Sequence, residues 1–363
     1  MSRRAEVIGA AAGVAAAAGA AGAVALNRTL AKRRHPDLAA ISEARVDRSG
    51  RVVANDGVGL YYEEVGSLDA PLTIVFAHAF CLRMGEFCFQ RRALADHFGD
   101  GVRLVFYDQR SHGRSDRSDA EHTSIDQLGQ DLAAVLDALV PAGRVVLVGH
   151  SMGGMTVMAL ADAFPELFGS GGRIAGVALI STSAGKLASV TLGLPAVLAR
   201  LRSPLLPLLL RGARRQSGLV ERGRALGGDV AWLVARRLSF GGSNVDPALV
   251  GYLATMIAAT RIDVIADYYP TVMSHDKIAA LPVLAGVQTA IICGDRDVLT
   301  PLAHSERIAA ELPQAHLVVV PDASHLVLME CPEAVDEVLI GMVEAALADG
   351  PPDRSPRRKP RRA

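Results

Sequence analysis

Short apolar runs alternate with longer stretches of helical periodicity along most of this chain, from residue 51 onward. Between two of the runs, residues 124–140 repeat apolar side chains at helical spacing. Buried strands that alternate with amphipathic helices predict a mostly parallel sheet with helices on both faces. The runs rich in β-branched residues are LTIVFAH (72–78), RLVFYD (103–108), RVVLVG (144–149), GVALIS (176–181), TAIICG (289–294) and HLVVVP (316–321).

A hairpin precedes these runs. Residues 51–66 (RVVANDGVGLYYEEVG) form two arms around Asp56-Gly57, a dipeptide typical of tight turns between antiparallel strands. With the hairpin included, the predicted α/β core contains an eight-stranded sheet and is built from residues 35–185 and 288–349.

One long interval interrupts the alternation of strands and helices. Residues 186–287, 102 in all, read as helical with breaks at prolines and glycines. A connection of this length requires structure of its own, so we predict a helical lid inserted into the core. Within it, residues 198–215 (LARLRSPLLPLLLRGARR) mix leucine with arginine. These leucines either pack on the core or form an interfacial patch that admits acyl chains.

Composition and charge exclude two classes of protein. Half of the 363 residues are apolar and 21% are charged, which is sufficient to bury a large core and excludes disorder for most of the chain. Six basic residues lie in 1–34 and six in 350–363, which leaves 26 basic against 36 acidic residues between them. An acidic body lacks the positive face that phosphate contacts need, so no nucleic-acid partner is expected. We expect residues 350–363 to be a basic disordered tail.

The first segment has the length of a membrane span. Residues 7–26 carry no charge but are mostly Ala and Gly, and three interpretations remain open: a retained anchor, a cleaved signal peptide and a helix lying on the body. The basic residues in 27–34 disfavour translocation and place the following body in the cytoplasm. We expect residues 1–34 to form a single-pass anchor, with secretion as the alternative.

The cysteines give no sign of a metal or a disulfide framework. Cys81, Cys88, Cys293 and Cys331 form neither a CxxC pair nor a Cys/His zinc pattern.

Candidate chemistry begins at VVLVGHSMGG (145–154), where Ser151 follows a predicted strand and precedes a predicted helix. This is the GxSxG nucleophile elbow, in which the flanking glycines leave room for a strained turn. A serine hydroxyl needs a base to become nucleophilic, and the base needs an acid to orient it. His325 in PDASHLVLMECPE (321–333) is the candidate base.

Asp297 in GDRDVLTP (294–301) is the candidate acid, and it lies 146 residues after Ser151 and 28 before His325. The order Ser, Asp, His is typical of α/β-hydrolases. Asp295 remains a rival because it lies nearer the end of its strand.

Together these motifs resemble those of the α/β-hydrolase-fold serine hydrolases, in the branch of esterases, lipases and cofactor-free haloperoxidases. HAF (78–80) resembles the family's HGx oxyanion loop, and YDQRSHGRSD (107–116) resembles its DxRGxGxS stretch. The similarity covers about residues 50–345. It implies the α/β-hydrolase fold with an inserted lid.

The resemblance also implies roles for individual residues. Ser151 attacks, His325 takes its proton, and Asp297 holds the imidazole in the correct tautomer. The backbone N–H groups of Phe80 and Met152 form the oxyanion hole.

Several residues near the implied site depart from the family pattern or support its loops. Ala79 replaces a usual glycine, and its Cβ restricts the loop that directs the Phe80 amide. Ser111 and Ser324 replace two further glycines. His78, Asp108 and His112 are expected to support loops rather than to act on substrate.

The function implied is hydrolysis of a carboxylic ester with apolar or acyl groups, without cofactor or metal. Two alternatives use the same three residues: a perhydrolase or haloperoxidase reaction, and hydrolysis of a carbon–carbon bond. The complete Ser, Asp and His set disfavours a non-enzymatic receptor on the same fold. The sequence carries no signal for the oligomeric state.

Overall fold

The computed structural model describes residues 45–169, 171–190, 210, 212–215, 217, 228–242 and 245–349. The expected anchor at 1–34, the basic tail at 350–363 and most of the leucine-rich stretch at 198–215 lie outside the described residues.

Eight strands form one sheet in the order β1-β2-β4-β3-β5-β6-β7-β8. The first three in this order pair antiparallel, and all the others pair parallel. This arrangement confirms the predicted sheet. The strands are β1 (Arg48–Val53), β2 (Gly59–Val65), β3 (Leu72–Ala77), β4 (Arg103–Tyr107), β5 (Arg144–His150), β6 (Ile174–Ile180), β7 (Gln288–Gly294) and β8 (His316–Val320).

The predicted hairpin is the β1–β2 pair, and its turn contains Gly57 with φ of +91°. β1 begins at Arg48, three residues before the predicted start at residue 51. Arg48 stands opposite Glu64 and donates to its Oε2 at 2.7 Å. The start of β1 is missed in the sequence because this edge strand is polar there and lacks the apolar run by which strands are recognised.

Helices cover both faces of the sheet because neighbouring strand residues point to opposite sides. Ile74 and Phe76 of β3 pack in one core cluster, and Val75 and Ala77 pack in the other. The predicted helix at 124–140 is α2, and its first turn is capped by the Ser124 side chain. The helices are α1 (Cys88–Phe98), α2 (Ile125–Leu139), α3 (Met152–Ala163), α4 (Gly228–Ser239), α5 (Pro247–Ala259), α6 (Ile262–Ser274), α7 (Leu302–Glu311), α8 (Val327–Glu330) and α9 (Pro332–Ala348).

The described part of the long interval between β6 and β7 includes the helices α4, α5 and α6. Val264, Tyr268 and Val272 of α6 pack against Met152 and Met155 of α3. α6 therefore lies against the first turn of α3, next to the carboxyl end of β5.

In the part of the chain that the structure describes, no individual helix has both the length and the apolar composition to cross a bilayer. Only α5 and α6 taken together meet the criterion, and they are bent by 94° where they join.

Candidate active site

Ser151 occupies a sharp turn between β5 and α3, with φ of 52° and ψ of −114°. A Cβ on Gly149 would lie 2.5 Å from the Gly153 carbonyl oxygen, and one on Gly153 would collide with the Ala77 carbonyl. Both glycines of the motif are therefore required by close backbone approach. The positive φ of Ser151 is a strained conformation that the surrounding backbone imposes.

The structure brings Ser151, His325 and Asp297 into one hydrogen-bonded row. Ser151 Oγ lies 3.0 Å from His325 Nε2, and His325 Nδ1 lies 2.8 Å from Asp297 Oδ2. All three residues are buried. Asp295, the rival acid, is instead exposed, and its backbone N–H donates to the Val320 carbonyl.

Four donors surround the Asp297 carboxylate. Oδ1 accepts from the backbone N–H groups of Leu299 and Thr300, at 2.8 and 2.9 Å. Oδ2 accepts from Thr300 Oγ1 at 2.7 Å and from His325 Nδ1. Burial alone would raise the pKa of Asp297, but the His325 charge and these donors outweigh it, so the pKa is lowered. Asp297 thus stays ionised beside the imidazole.

Thr300 is a residue of this site that sequence reasoning missed. Its hydroxyl also lies 3.2 Å from His325 Nδ1. It belongs to the same GDRDVLTP stretch as Asp297, but no motif marks it.

The two candidate oxyanion amides belong to Met152, which directly follows Ser151, and to Phe80. Met152 is the first residue of α3, where a backbone N–H has no acceptor within the helix. Phe80 follows β3 and lines the same cavity as Ser151. In the described part of the chain, neither amide donates to a protein acceptor. Both are thus available to a bound oxygen atom.

Three donors fix the loop that carries the Phe80 amide. Glu86 Oε1 accepts from the Ala79 N–H at 3.0 Å, while the Ala79 carbonyl accepts from Leu82 N and from His78 Nδ1 at 2.8 Å. The Ala79 carbonyl and the Phe80 N–H belong to one planar peptide unit, so fixing the first directs the second. Ala79 itself does not adopt a positive φ, and its Cβ is accommodated. Of the three residues that replace family glycines, Ala79, Ser111 and Ser324, only Ser111 has a positive φ, of 65°.

The side chains of His78, Asp108 and His112 all form hydrogen bonds with backbone groups. His78 Nε2 accepts from the Gln109 N–H at 2.9 Å, which leaves Nδ1 as the donor to the loop. Asp108 accepts from the backbone N–H groups of Met84 and Arg114.

His112 is fully buried, and its Nδ1 lies 3.0 Å from the Arg110 carbonyl. Burial, followed by the electrostatic effect of the neighbouring His78 ring, lowers the pKa of His112 to about 3. The ring is therefore neutral near pH 7.

Ser151 and His325 open onto a cavity of about 290 Å³. Its outer wall comes from the helical insertion and is apolar. No Asp, Glu, Lys or Arg is found among the described residues that line it. Leu210, the one member of the expected leucine cluster that the structure describes, does not line the cavity. The insertion residues at the wall include Leu187, Val190, Leu238, Leu253, Ile257 and Met273.

Within the described residues, no group of three or more His, Cys, Asp or Glu side chains is arranged to hold a metal ion. The four cysteines lie in this part of the chain and form no disulfide.

The chain belongs to the alpha/beta hydrolase family, whose model matches residues 74–338. The match covers the elbow, the Asp297 loop and the His325 loop. The predicted family and fold are thereby confirmed, and the protein is a member of a hydrolase family.

Two curated relatives are each 35% identical to part of the chain. A non-heme chloroperoxidase from Streptomyces lividans matches over 133 residues, which is 36% of this chain and 44% of the relative. A bifunctional esterase/perhydrolase from Acinetobacter calcoaceticus matches over 117 residues, 32% of this chain and 40% of the relative. The matched stretches thus span less than half of each relative.

Among solved structures, a thermophilic esterase from Thermogutta terrifontis superposes with a TM-score of 0.64 at 24% identity, covering 82% of this chain and 99% of that one. An enol-lactonase from Burkholderia xenovorans gives 0.64 at 23% identity, covering 81% and 100%. At these identities the likeness shows the fold alone.

Proposed function

We propose that the protein is a serine hydrolase that cleaves carboxylic esters with neutral, apolar groups through an acyl-enzyme on Ser151. The observation that carries this proposal is the row from Asp297 through His325 to Ser151 at the floor of an apolar cavity. In this row His325 Nδ1–H donates to the ionised Asp297, which leaves Nε2 as the base.

The reaction has two halves. Ser151 Oγ attacks the ester carbonyl carbon as His325 Nε2 takes the hydroxyl proton, and the resulting oxyanion accepts from the Phe80 and Met152 N–H groups. The intermediate collapses, and His325 returns the proton to the departing alcohol. Water then attacks the acyl-enzyme with His325 again as base, and the carboxylic acid leaves from Ser151.

The cavity supports a small apolar substrate. Its volume of about 290 Å³ lies just below the ~300–1,000 Å³ typical of small-molecule sites. Burying a sugar hydroxyl unpaired against this wall would cost about 1–3 kcal/mol, and burying a charged carboxylate or phosphate would cost more. The helical insertion acts as the lid that excludes water. Esters of short to medium acyl chains fit these limits.

The test is a series of p-nitrophenyl esters from acetyl to dodecanoyl, with active sites counted by a fluorophosphonate. Each methylene that the wall covers adds up to about 0.8 kcal/mol, so kcat/KM should rise with chain length and then fall once the cavity is full. The matched control is Ser151→Ala, which should lose both turnover and labelling. Equal labelling of Ser151→Ala and parent would refute the assignment.

A second candidate reaction is perhydrolysis. It is favoured by the two 35%-identical relatives, which are named as a non-heme chloroperoxidase and an esterase/perhydrolase. Hydrogen peroxide would then replace water in the second half, so that the acyl group leaves Ser151 as a peracid. Peracid formation from an ester and peroxide, compared with acid formation under the same conditions, measures the partition.

Membrane attachment through residues 7–26 belongs to the same proposal. It rests on the uncharged length of that segment and its basic flanks.

A further inference from the structure

A buried carboxylate joins the oxyanion loop to the nucleophile elbow. Glu86 lies on the 3₁₀ turn Met84–Phe87 and is wholly buried. Its Oε1 accepts from the Ala79 N–H at 3.0 Å and lies 2.9 Å from His150 Nδ1. His150 immediately precedes Ser151. One oxygen atom thus contacts two of the segments that form the candidate site.

His150 extends this connection to a third segment. Its ring is also wholly buried, and its Nε2 lies 3.0 Å from the backbone carbonyl oxygen of His325. The Glu86–His150 pair therefore contacts the backbone N–H of Ala79, which precedes Phe80, and the backbone carbonyl of His325, while His150 itself directly precedes Ser151.

The two contacts of His150 require two protons, one on Nε2 and one between Nδ1 and Glu86. A carbonyl oxygen can only accept, so His150 Nε2 carries a proton. The contact between Nδ1 and Glu86 Oε1 then needs a second proton, held by the imidazole as an ion pair or by the carboxyl. A neutral glutamine at position 86 can keep at most two of the three links unless an uncompensated charge is buried, which is costly.

We propose that Glu86 and His150 act together as positioning residues that hold the Phe80 amide and His325 in register with Ser151. The inference rests on the proposed serine hydrolase function. Neither Glu86 nor His150 lines the cavity. Loss of the pair should therefore disturb the oxyanion and the base in the transition state and leave binding of the neutral substrate unchanged.

The experiment compares Glu86→Gln with the parent in two measurements. The first is the second-order rate at which a fluorophosphonate labels Ser151, which uses the same amides and does not depend on knowing the substrate. The second is kcat and KM for a p-nitrophenyl ester, per labelled site. Removing one oxyanion donor costs about 10²–10³-fold, so displacing one should lower labelling and kcat by about 10- to 100-fold, with KM within about threefold.

Variants at position 150 separate the two links. His150→Asn places an amide nitrogen near the position of Nδ1 and keeps the Glu86 contact, whereas His150→Gln reaches toward the His325 carbonyl. Each should lose activity, and the double variant Glu86→Gln/His150→Gln should lose no more than the worse single variant, because the residues act as one unit. The control is Asp336→Asn, which removes a half-buried carboxylate of α9 that accepts from the Gln90 side chain.

Each possible result of these measurements either supports or overturns the inference. Parental labelling and kcat in folded Glu86→Gln overturn the inference, as does a raised KM with unchanged kcat. If Glu86→Gln does not fold, His150→Asn is judged by the same two measurements. An unlabelled parent refutes the proposed function and this inference with it, whereas a labelled parent with unaffected variants refutes only the inference.

Discussion

Replacing Asp297 by asparagine should change the tautomer of His325, and the surroundings of the carboxylate dictate how. Oδ1 accepts from two backbone N–H groups, those of Leu299 and Thr300. The asparagine oxygen must take that place, because an NH₂ group there would face two donors. Its NH₂ group is then forced into the position of Oδ2, directly opposite His325 Nδ1.

An NH₂ group at this position donates to His325 Nδ1 and so moves the ring proton to Nε2. With Nε2 protonated, the imidazole donates to Ser151 Oγ and cannot accept its proton. We expect kcat to fall by about 10⁴-fold, or about 5 kcal/mol of transition-state stabilisation. KM should change little, because Asp297 does not line the cavity.

The assay is ester turnover per folded molecule, with folding checked by the thermal unfolding midpoint. The matched control is Asp295→Asn, two residues away on an exposed turn, which should retain parental activity. A loss below tenfold in Asp297→Asn, or a larger loss in Asp295→Asn, would refute the reasoning.

Three further predictions concern residues around the site and the first segment. Thr300→Val removes one of four donors to Asp297 and should lower kcat by about 3- to 10-fold, measured with the same ester. The pKa of His112 is lowered from 6.5 to about 3, so the unfolded state gains a proton first on acidification, and about 3 kcal/mol of stability should be lost between pH 7 and pH 4. His112→Asn keeps a donor for the Arg110 carbonyl but cannot take up the proton. Its free energy of unfolding, measured by urea denaturation, should therefore lack this decrease between pH 7 and pH 4. Deleting residues 1–34 should release active protein from carbonate-washed membranes; full retention of the shortened chain would contradict the anchor.

The strands were predictable wherever burial is complete. β3 and β4 are buried at every position, and their mostly apolar runs leave little choice of structure. β6 begins at Ile174, two residues before the predicted run at 176. The strand starts earlier because Ile174 already pairs with Val145 of β5. Strand ends depend on pairing with neighbours, which a local pattern does not report.

The candidate site was predictable to the extent that the sheet defines it. Ser151 follows β5, Asp297 follows β7 and His325 follows β8, and the carboxyl ends of parallel strands meet at one edge. Chain order alone thus placed these three near one another. The preference for Asp297 over Asp295 came from the family pattern and from the need to reach past the strand end, and the structure places Asp297 Oδ2 2.8 Å from His325 Nδ1.

The contacts between loops left no trace in the sequence. Glu86 and His150 are 64 residues apart and belong to different motifs, so neither composition nor spacing marks them as a pair. The cavity wall shows the same limit, because Leu253 and Ile257 of α5 line it although no motif marks them in the sequence. Strand order thus determines which residues gather at the carboxyl edge. The hydrogen bonds that orient them, such as Glu86 to the Ala79 amide, depend on tertiary packing and can be found only once the loops are seen together.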